Sequence, residues 1–414
     1  MTAAASEDLR RRVIEAVDVD ELVRLTRDIV RIRSYTGSQG EGDVARFLDE
    51  HLRELGLESR LLPVDEGRFD VVARWRGSGG GKALMLNGHM DTNPVVLGWT
   101  EDPFAGTVKD GLIYGVGICN MKGADAAYVA ALRAVERSGV SIRGDVLLCY
   151  VVGEQQGGVG TLKLLEDGVT ADCFVVGEPV ENQVLTLHSG VSMFRLSTIG
   201  RMRHLSKQEE GVSAITLMTR VIAALSTLQF TGGDRPDYRG LRRWNVGSIR
   251  GGMGREYMDW RPGIIPDFCT IHLDVRFGPG QTQETVQADL EGMLERLEQT
   301  ELPDLQWELA PLDLDDAIRK AHFGPFEISP EEPIVQTVIR AHRDVYGAEP
   351  QVGALPRYKF YGTDAAHLRH RAGIPGVVCG PGGKHTTAPD EAMEIEELAR
   401  AARIYALTIL EVCG

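Results

Sequence analysis

The chain has 414 residues, a formal net charge of -15 and 43% hydrophobic residues. The length exceeds one ordinary core, so two domains are expected. The acidity argues against nucleic-acid binding, since phosphate contacts need clustered Lys and Arg, and Arg10-Arg11-Arg12 is one short cluster. No run approaches the ~20 apolar residues of a membrane span, and the polar start, Met1-Thr-Ala-Ala-Ala-Ser-Glu-Asp8, lacks an apolar secretion core. The six cysteines (Cys119, Cys149, Cys173, Cys269, Cys379 and Cys413) form no Cys-x-x-Cys pair and read as buried thiols. A cytoplasmic protein with neither membrane nor nucleic-acid partner is expected.

Apolar residues at helical spacing (Leu22, Leu25, Ile29, Val30) predict a helix over 20–33, broken by Ser34-Tyr-Thr-Gly-Ser38. A second amphipathic helix is expected over 41–55, stopped by Gly56. Strands are expected at 70–75, 83–87 and 146–152, with a helix over 122–138 between the last two. The glycine run Gly77–Gly81 reads as a surface loop, because no Lys-Ser/Thr opens a helix after it. Alternating strands and helices predict an α/β, mostly parallel sheet, with ligands at the carboxyl ends of its strands.

After Glu178-Pro179 the pattern changes. Alternation over 188–198, a helix over 212–227, strands at 244–250 and 267–277, a helix over 282–299 and a strand near 305–309 make the order βαββαβ. This predicts an inserted α+β, ferredoxin-like lid domain at 188–315, to which the family resemblance below adds a dimerisation role. The catalytic domain is then split between 1–187 and 316–414.

Four segments carry chemistry. In Leu84-Met-Leu-Asn-Gly-His89-Met-Asp91-Thr92, an apolar strand ends in an imidazole with a carboxylate two residues on, which can fix the ring's tautomer. In Tyr114-Gly-Val-Gly-Ile-Cys-Asn120-Met-Lys-Gly123, glycines turn the chain into a helix. Asn120 there reads as an N-cap or a ligand. In Val151-Val-Gly-Glu154-Gln155-Gln156, a carboxylate follows a buried strand, where a general base or a solvated loop acid can sit. Phe174-Val-Val-Gly-Glu178-Pro179 repeats that pattern. Four strand ends offering His89, Asn120, Glu154 and Glu178 suit an oxygen/nitrogen metal site. Later, Gly380-Pro-Gly-Gly-Lys-His385-Thr-Thr387 presents His385 as a ligand, a substrate contact or a solvated loop residue. Phe360-Tyr361-Gly-Thr363-Asp364 opens another helix, whose first turn Asp364 can support.

Together these segments resemble the metallohydrolases that include carboxypeptidase G, aminoacylase, acetylornithine deacetylase and succinyl-diaminopimelate desuccinylase, over nearly the whole chain. The family pattern implies two metals bridged by an Asp, with an early His and the Glu of Gly-Glu-Pro on the first metal. A second Glu and a late His bind the other metal. Here the bridging position is Asn120, the Glu-Glu pair is Glu154-Gln155, and the late His position is Thr387. The losses fall on one half of the site. The resemblance therefore implies one divalent metal per chain on His89, Glu178 and the amide oxygen of Asn120, with manganese favoured and zinc admissible. Glu154 is expected as general base, and Asp91 remains behind His89 as a further catalytic candidate. Replacing carboxylates by amides suits a small anionic substrate.

Thr198-Ile-Gly200-Arg201-Met-Arg203-His204 resembles the family's lid motif. It implies a homodimer through the lid, open to higher assembly, in which His204 reaches the partner's site and stabilises an oxyanion. Arg276, in Leu273-Asp274-Val275-Arg276, is a candidate for a substrate carboxylate or for a salt bridge alone. Tyr361, His385 and Asn120 are further candidate substrate contacts. The combination Asn-Met-Lys with Gly-Glu-x-Gln-Gly-Gly is similar to a narrower group, manganese aminohydrolases acting on 5-nitroanthranilate. The resemblance thus implies a hydrolase cleaving a C–N bond. The alternatives are an N-acyl-amino-acid deacylase and an inactive relative with a decayed metal site.

Overall fold

The computed structural model describes residues 3–232, 239–240, 243–259, 261–312 and 322–414. It divides into two compact units, Met1–Leu187 with Phe326–Lys359 and Thr363–Gly414, and His188–Pro325 with Phe360–Gly362. The boundary expected at 315/316 lies outside the described residues. Sequence pattern assigned Tyr361 to the catalytic domain, whereas its short segment groups with the second unit. Three residues carry no periodicity that would reveal such a return.

The first unit is built on an eight-stranded sheet in the order Glu58–Asp65, Arg68–Trp75, Val146–Val151, Leu84–His89, Cys173–Pro179, Gly376–Gly380, Val184–Leu185, Val352–Gly353. The four central strands, Val146–Val151 to Gly376–Gly380, run parallel. Their side chains are almost all buried, as strands covered on both faces require. Neighbouring residues of Leu84–His89 face opposite helices. Asn87 reaches Thr161 of the helix Val159–Glu166. A side chain at Gly88 would instead strike Asp125 of the helix Gly123–Arg137.

The second unit is a four-stranded antiparallel sheet ordered Arg243–Gly252, Phe268–Phe277, Gly190–Ile199, Gln306–Pro311. With the helices Ala214–Leu225 and Gln283–Thr300 the order is βαββαβ, the inserted α+β arrangement expected. Alternate inward residues such as Phe194, Leu196, Ile271 and Leu273 pack on Leu217, Val221, Leu290 and Leu294 of those helices.

Candidate active site

His89 ends its strand flanked by the two strands that lead to Glu154 and Glu178. Leu84–His89 pairs in parallel with Val146–Val151 on one side and with Cys173–Pro179 on the other. Sheet order thus brings three strand ends together. Ligand atoms of His89, Glu154 and Glu178, all buried, lie within 4.8 Å of one another.

His89 Nδ1 points at the Asp91 carbonyl oxygen, 2.9 Å away, with Asp91 Oδ1 at 3.3 Å. In the neutral ring, donation from Nδ1 to that oxygen leaves Nε2 with the lone pair that a cation takes in place of a proton. Nε2 is buried without a hydrogen-bond partner and lies 3.6 Å from Glu178 Oε1. Burial disfavours the charged imidazole. The carboxylates of Asp91, Glu178 and Glu154 outweigh it and hold the ring well above its ordinary value.

Asp91 also fixes the Glu154 turn. Its Oδ1 accepts from the Glu154 N–H at 3.0 Å, and its Oδ2 accepts from the Gln155 N–H at 3.1 Å and the Thr36 hydroxyl at 2.9 Å. Burial pushes its carboxyl up, but His89 and these donors bring it below its ordinary value. Glu154 moves the other way. Burial, then the charge of Glu178, pushes it well up. Glu178 and Asp364 are both pushed up to about 7, in each case mainly by burial. Three carboxyl groups resisting ionisation around one imidazole mark a pocket short of positive charge. A divalent cation fits it: Nε2 is orphaned, and carboxylate oxygens face it within one coordination sphere's reach.

Asn120 lies inside a π-type turn, Ile118–Lys122, so it is not the helix N-cap. The helix begins at Gly123 after Lys122, without a side-chain cap. The turn packs against the strands carrying His89 and Glu178. Glu391, buried, clamps it by accepting from the N–H groups of Gly117 (3.1 Å), Cys119 (2.7 Å) and Asn120 (3.2 Å). Burial pushes Glu391 up to about 7 despite these donors. Asn120 and Thr387 line one small cavity with Trp99, Val96 and Glu391. Lys122 is wholly buried, donates to the Ile32 carbonyl at 2.8 Å and is pushed down to about 7 by burial.

The other candidates have their own surroundings. His385 is exposed in a left-handed turn, φ 58°, near Asp390. In the second unit, Arg276 already closes its fork on Asp274 (2.7 and 3.0 Å) and donates to the Phe360 carbonyl at 3.0 Å. The bidentate geometry expected for a substrate carboxylate is thus used by Asp274. Tyr361 is half-buried in the same unit, its carbonyl accepting from the Ser189 hydroxyl at 3.0 Å. His204 is exposed, its Nδ1 3.2 Å from the Ser206 N–H and 2.9 Å from the Ser206 hydroxyl.

Asp364 stands at the start of the helix Ala365–Ala372, as the sequence leads one to expect, and its side chain makes no cap bond. It is buried, its Oδ1 lacks a partner, and it lies against Gly158 in the turn after Glu154. Glu41 and Arg68, which contact Gly153 and Gln156, are not singled out by the sequence. Neither carries a local motif, and only the fold brings them to Gly153.

The fold and this cluster define a metal-dependent hydrolase acting on C–N bonds. The chain belongs to the peptidase family M20/M25/M40, whose family model matches residues 85–411. It is 26% identical over 420 residues to the N-formyl-4-amino-5-aminomethyl-2-methylpyrimidine deformylase of Bacillus subtilis (strain 168), covering 95% of each chain. It is 28% identical over 415 residues to the acetylornithine deacetylase of Proteus mirabilis (strain HI4320), covering 96% of this chain and 98% of that one. Among solved structures, an M20 family metallo-carboxypeptidase from Sulfolobus solfataricus matches with a TM-score of 0.76 at 18% identity, over 94% of this chain and 98% of that one. A dinuclear metal-binding M20 peptidase of Bacillus subtilis matches with a TM-score of 0.62 at 17% identity, over 95% and 98%.

Proposed function

We propose that the chain is a single-cation aminohydrolase that replaces the amine of a small carboxylate-bearing aromatic by hydroxide, 5-nitroanthranilate being the substrate to try first. The observation that carries this reading is the asymmetry of the centre. His89, Glu154 and Glu178 converge within 4.8 Å. Asn120, Gln155 and Thr387 stand where the family resemblance leads one to expect an Asp, a Glu and a His. His89 and Glu178 would hold the cation, with the Asn120 amide oxygen as a third donor, and manganese suits such a hard donor set. The neutral side chains on the other half reduce repulsion toward an anionic substrate.

When bound, the divalent cation supplies Lewis acidity and makes water nucleophilic at neutral pH. Asp91 holds the His89 ring and the Glu154 backbone in one frame. Glu154 takes a proton from the attacking water, and the new C–O bond forms at the amine-bearing ring carbon. The nitro group para to that carbon takes up the developing negative charge. Glu154 returns the proton to the departing nitrogen as the C–N bond breaks. The products are 5-nitrosalicylate and ammonia, which balances one water against one amine.

A second reading, hydrolysis of an N-formyl or N-acyl group, is favoured by the similarity to a deformylase and a deacetylase and needs the same base and cation. A catalytically inactive relative is the third, and the convergence of Glu154 with His89 and Glu178 weighs against it. Assays of the Mn2+-loaded protein separate the three. Ammonia and a phenol from 5-nitroanthranilate support the first. Formate or acetate from N-formyl or N-acetyl amines, with no ammonia, transfers support to the second, and silence on both to the third.

We further infer a homodimer through the second unit, with His204 reaching the partner's site. The edge strand Arg243–Gly252 is mostly exposed; it carries Ile249 at 52% exposure, and a side chain at its Gly251 would meet Ile215 of the adjoining helix, itself 38% exposed. Such an edge is normally covered. The cysteines are all free and buried, which suits a reducing cytoplasm. Among the described residues no helix is long and apolar enough to cross a membrane.

A further inference from the structure

We propose that the buried Arg68–Glu41 pair is a positioning element for Glu154, gripping from beneath the glycine turn that presents that carboxylate. The proposal rests on the reading of Glu154 as the base.

The turn needs a grip. Gly153, Gly157 and Gly158 all adopt left-handed φ (64°, 92° and 79°), so the segment on both sides of Glu154 has little intrinsic stiffness. Asp91 holds it from one direction, through the N–H groups of Glu154 and Gln155. Glu41 holds the residue before the base: its Oε1 accepts from the Gly153 N–H at 2.8 Å. Arg68 holds the residue after the pair: its Nη2 donates to Gln156 Oε1 at 2.8 Å. The two side chains lock each other by a bidentate contact, Nε to Oε2 at 2.6 Å and Nη2 to Oε1 at 3.0 Å. Arg68 Nη1 is tied to Asp65 Oδ2 at 2.7 Å, and Glu41 Oε2 also accepts from the Gly37 N–H at 2.8 Å.

Packing alone does not explain this arrangement. Glu41 is fully buried and Arg68 is 4% exposed. Desolvating such a pair is costly, and apolar residues of similar volume often serve a core as well or better. What an apolar pair lacks is direction. A bidentate guanidinium–carboxylate contact sets angles as well as distances and hands them on to Gly153 and Gln156. Fit is tight, since a Cβ added at Gly153 would come within 2.8 Å of Arg68 Nη2. A base displaced by about 1 Å can lose on the order of 100-fold in rate.

The test uses the full-length, Mn2+-loaded protein, with Glu41→Gln and the apolar double variant Glu41→Leu/Arg68→Met. It reads amide hydrogen exchange at 153–158, Mn2+ affinity, and kcat and KM on 5-nitroanthranilate or on whichever N-formyl amine the native protein hydrolyses. In the double variant we expect exchange at 153–158 to quicken and kcat to fall about 10- to 100-fold. Mn2+ affinity should fall far less than kcat, because His89 and Glu178 stand on other strands and Asp91 keeps its own hold on the turn through the Glu154 and Gln155 N–H groups. Glu41→Gln keeps an oxygen for the Gly153 N–H and should lose less. A folded double variant with native kcat, or one that loses kcat with no change in exchange at 153–158, overturns the proposal. If the double variant does not fold, Glu41→Gln decides alone, and native exchange together with native kcat overturns it. If the native protein hydrolyses neither substrate class, the functional reading fails by itself, while the exchange comparison still decides whether the pair grips the turn.

Discussion

One carboxylate, Asp91, governs both the His89 ring and the Glu154 backbone: its Oδ1 lies 3.3 Å from His89 Nδ1 and accepts the Glu154 N–H at 3.0 Å. The orientation of the candidate ligand and the position of the candidate base are therefore not independent. Disturbing Asp91 disturbs both, and the disturbance separates into measurable parts.

Asp91→Asn retains size but weakens the acceptor for two backbone amides and for Nδ1. We expect Mn2+ affinity to drop by up to about 10-fold, less than when a ligating His loses its partner outright, because the Asp91 carbonyl at 2.9 Å still accepts from Nδ1. Titration calorimetry reads it, and native affinity in the variant would count against this role.

Glu154→Gln discriminates a base from a ligand. As a base, its loss should lower kcat by about 10^2- to 10^4-fold with Mn2+ affinity nearly unchanged. A parallel collapse of Mn2+ affinity would reassign Glu154 to the coordination sphere, a possibility its distance to His89 and Glu178 permits.

Metal content follows from Asn120, Gln155 and Thr387. Protein purified without chelator should contain one divalent ion per chain by elemental analysis, and His89→Ala should bring that close to zero. A ratio near two per chain would contradict the single-cation reading. Stripping the ion with EDTA should abolish turnover and Mn2+ should restore it.

Stability should depend on pH in a direction set by Glu178 and Asp364. Both are held at about 7 in the folded, cation-free protein, above their ordinary values of 4.5 and 3.8. A carboxyl raised on folding contributes stability that is present below its unfolded pKa and lost as pH rises through its folded one. The cation-free protein should therefore melt lower at pH 8 than at pH 5.5. Mn2+ should stabilise it more at pH 8, where both carboxylates are ionised and the ion meets no competing protons. Melting curves with equal Mn2+ increments at both pH values would sink this expectation.

Gly88→Ala probes the floor of the site. The added methyl would lie 2.2 Å from Asp125 Oδ1 and 2.6 Å from Met121 Cε. Overpacking of this kind costs about 1–3 kcal/mol. Asp125→Ala should recover part of it, because it removes the nearest clashing atom together with a buried carboxyl whose oxygens have no partner. A double variant no more stable than Gly88→Ala would show that Met121 or Tyr128 sets the clash instead.

Sequence alone determined the elements and the strand ends. Apolar runs ending at His89, before Glu154 and at Glu178 are near-neighbour patterns, and so are the helix over 20–33 and the βαββαβ order of the insert. These depend on spacing along the chain, which a sequence displays directly. Only the tertiary structure decided which strand ends are neighbours and what stands behind them. The hydrogen bond from Glu154 to Asp91 spans 63 residues, and that from Gly153 to Glu41 spans 112. The same holds for Asn120, in a π-type turn whose N–H groups donate to Glu391, 271 residues away from Asn120. The physical reason is that a buried polar atom must find a partner wherever the fold supplies one. Chain order sets what a residue can offer, and burial decides which groups must answer it.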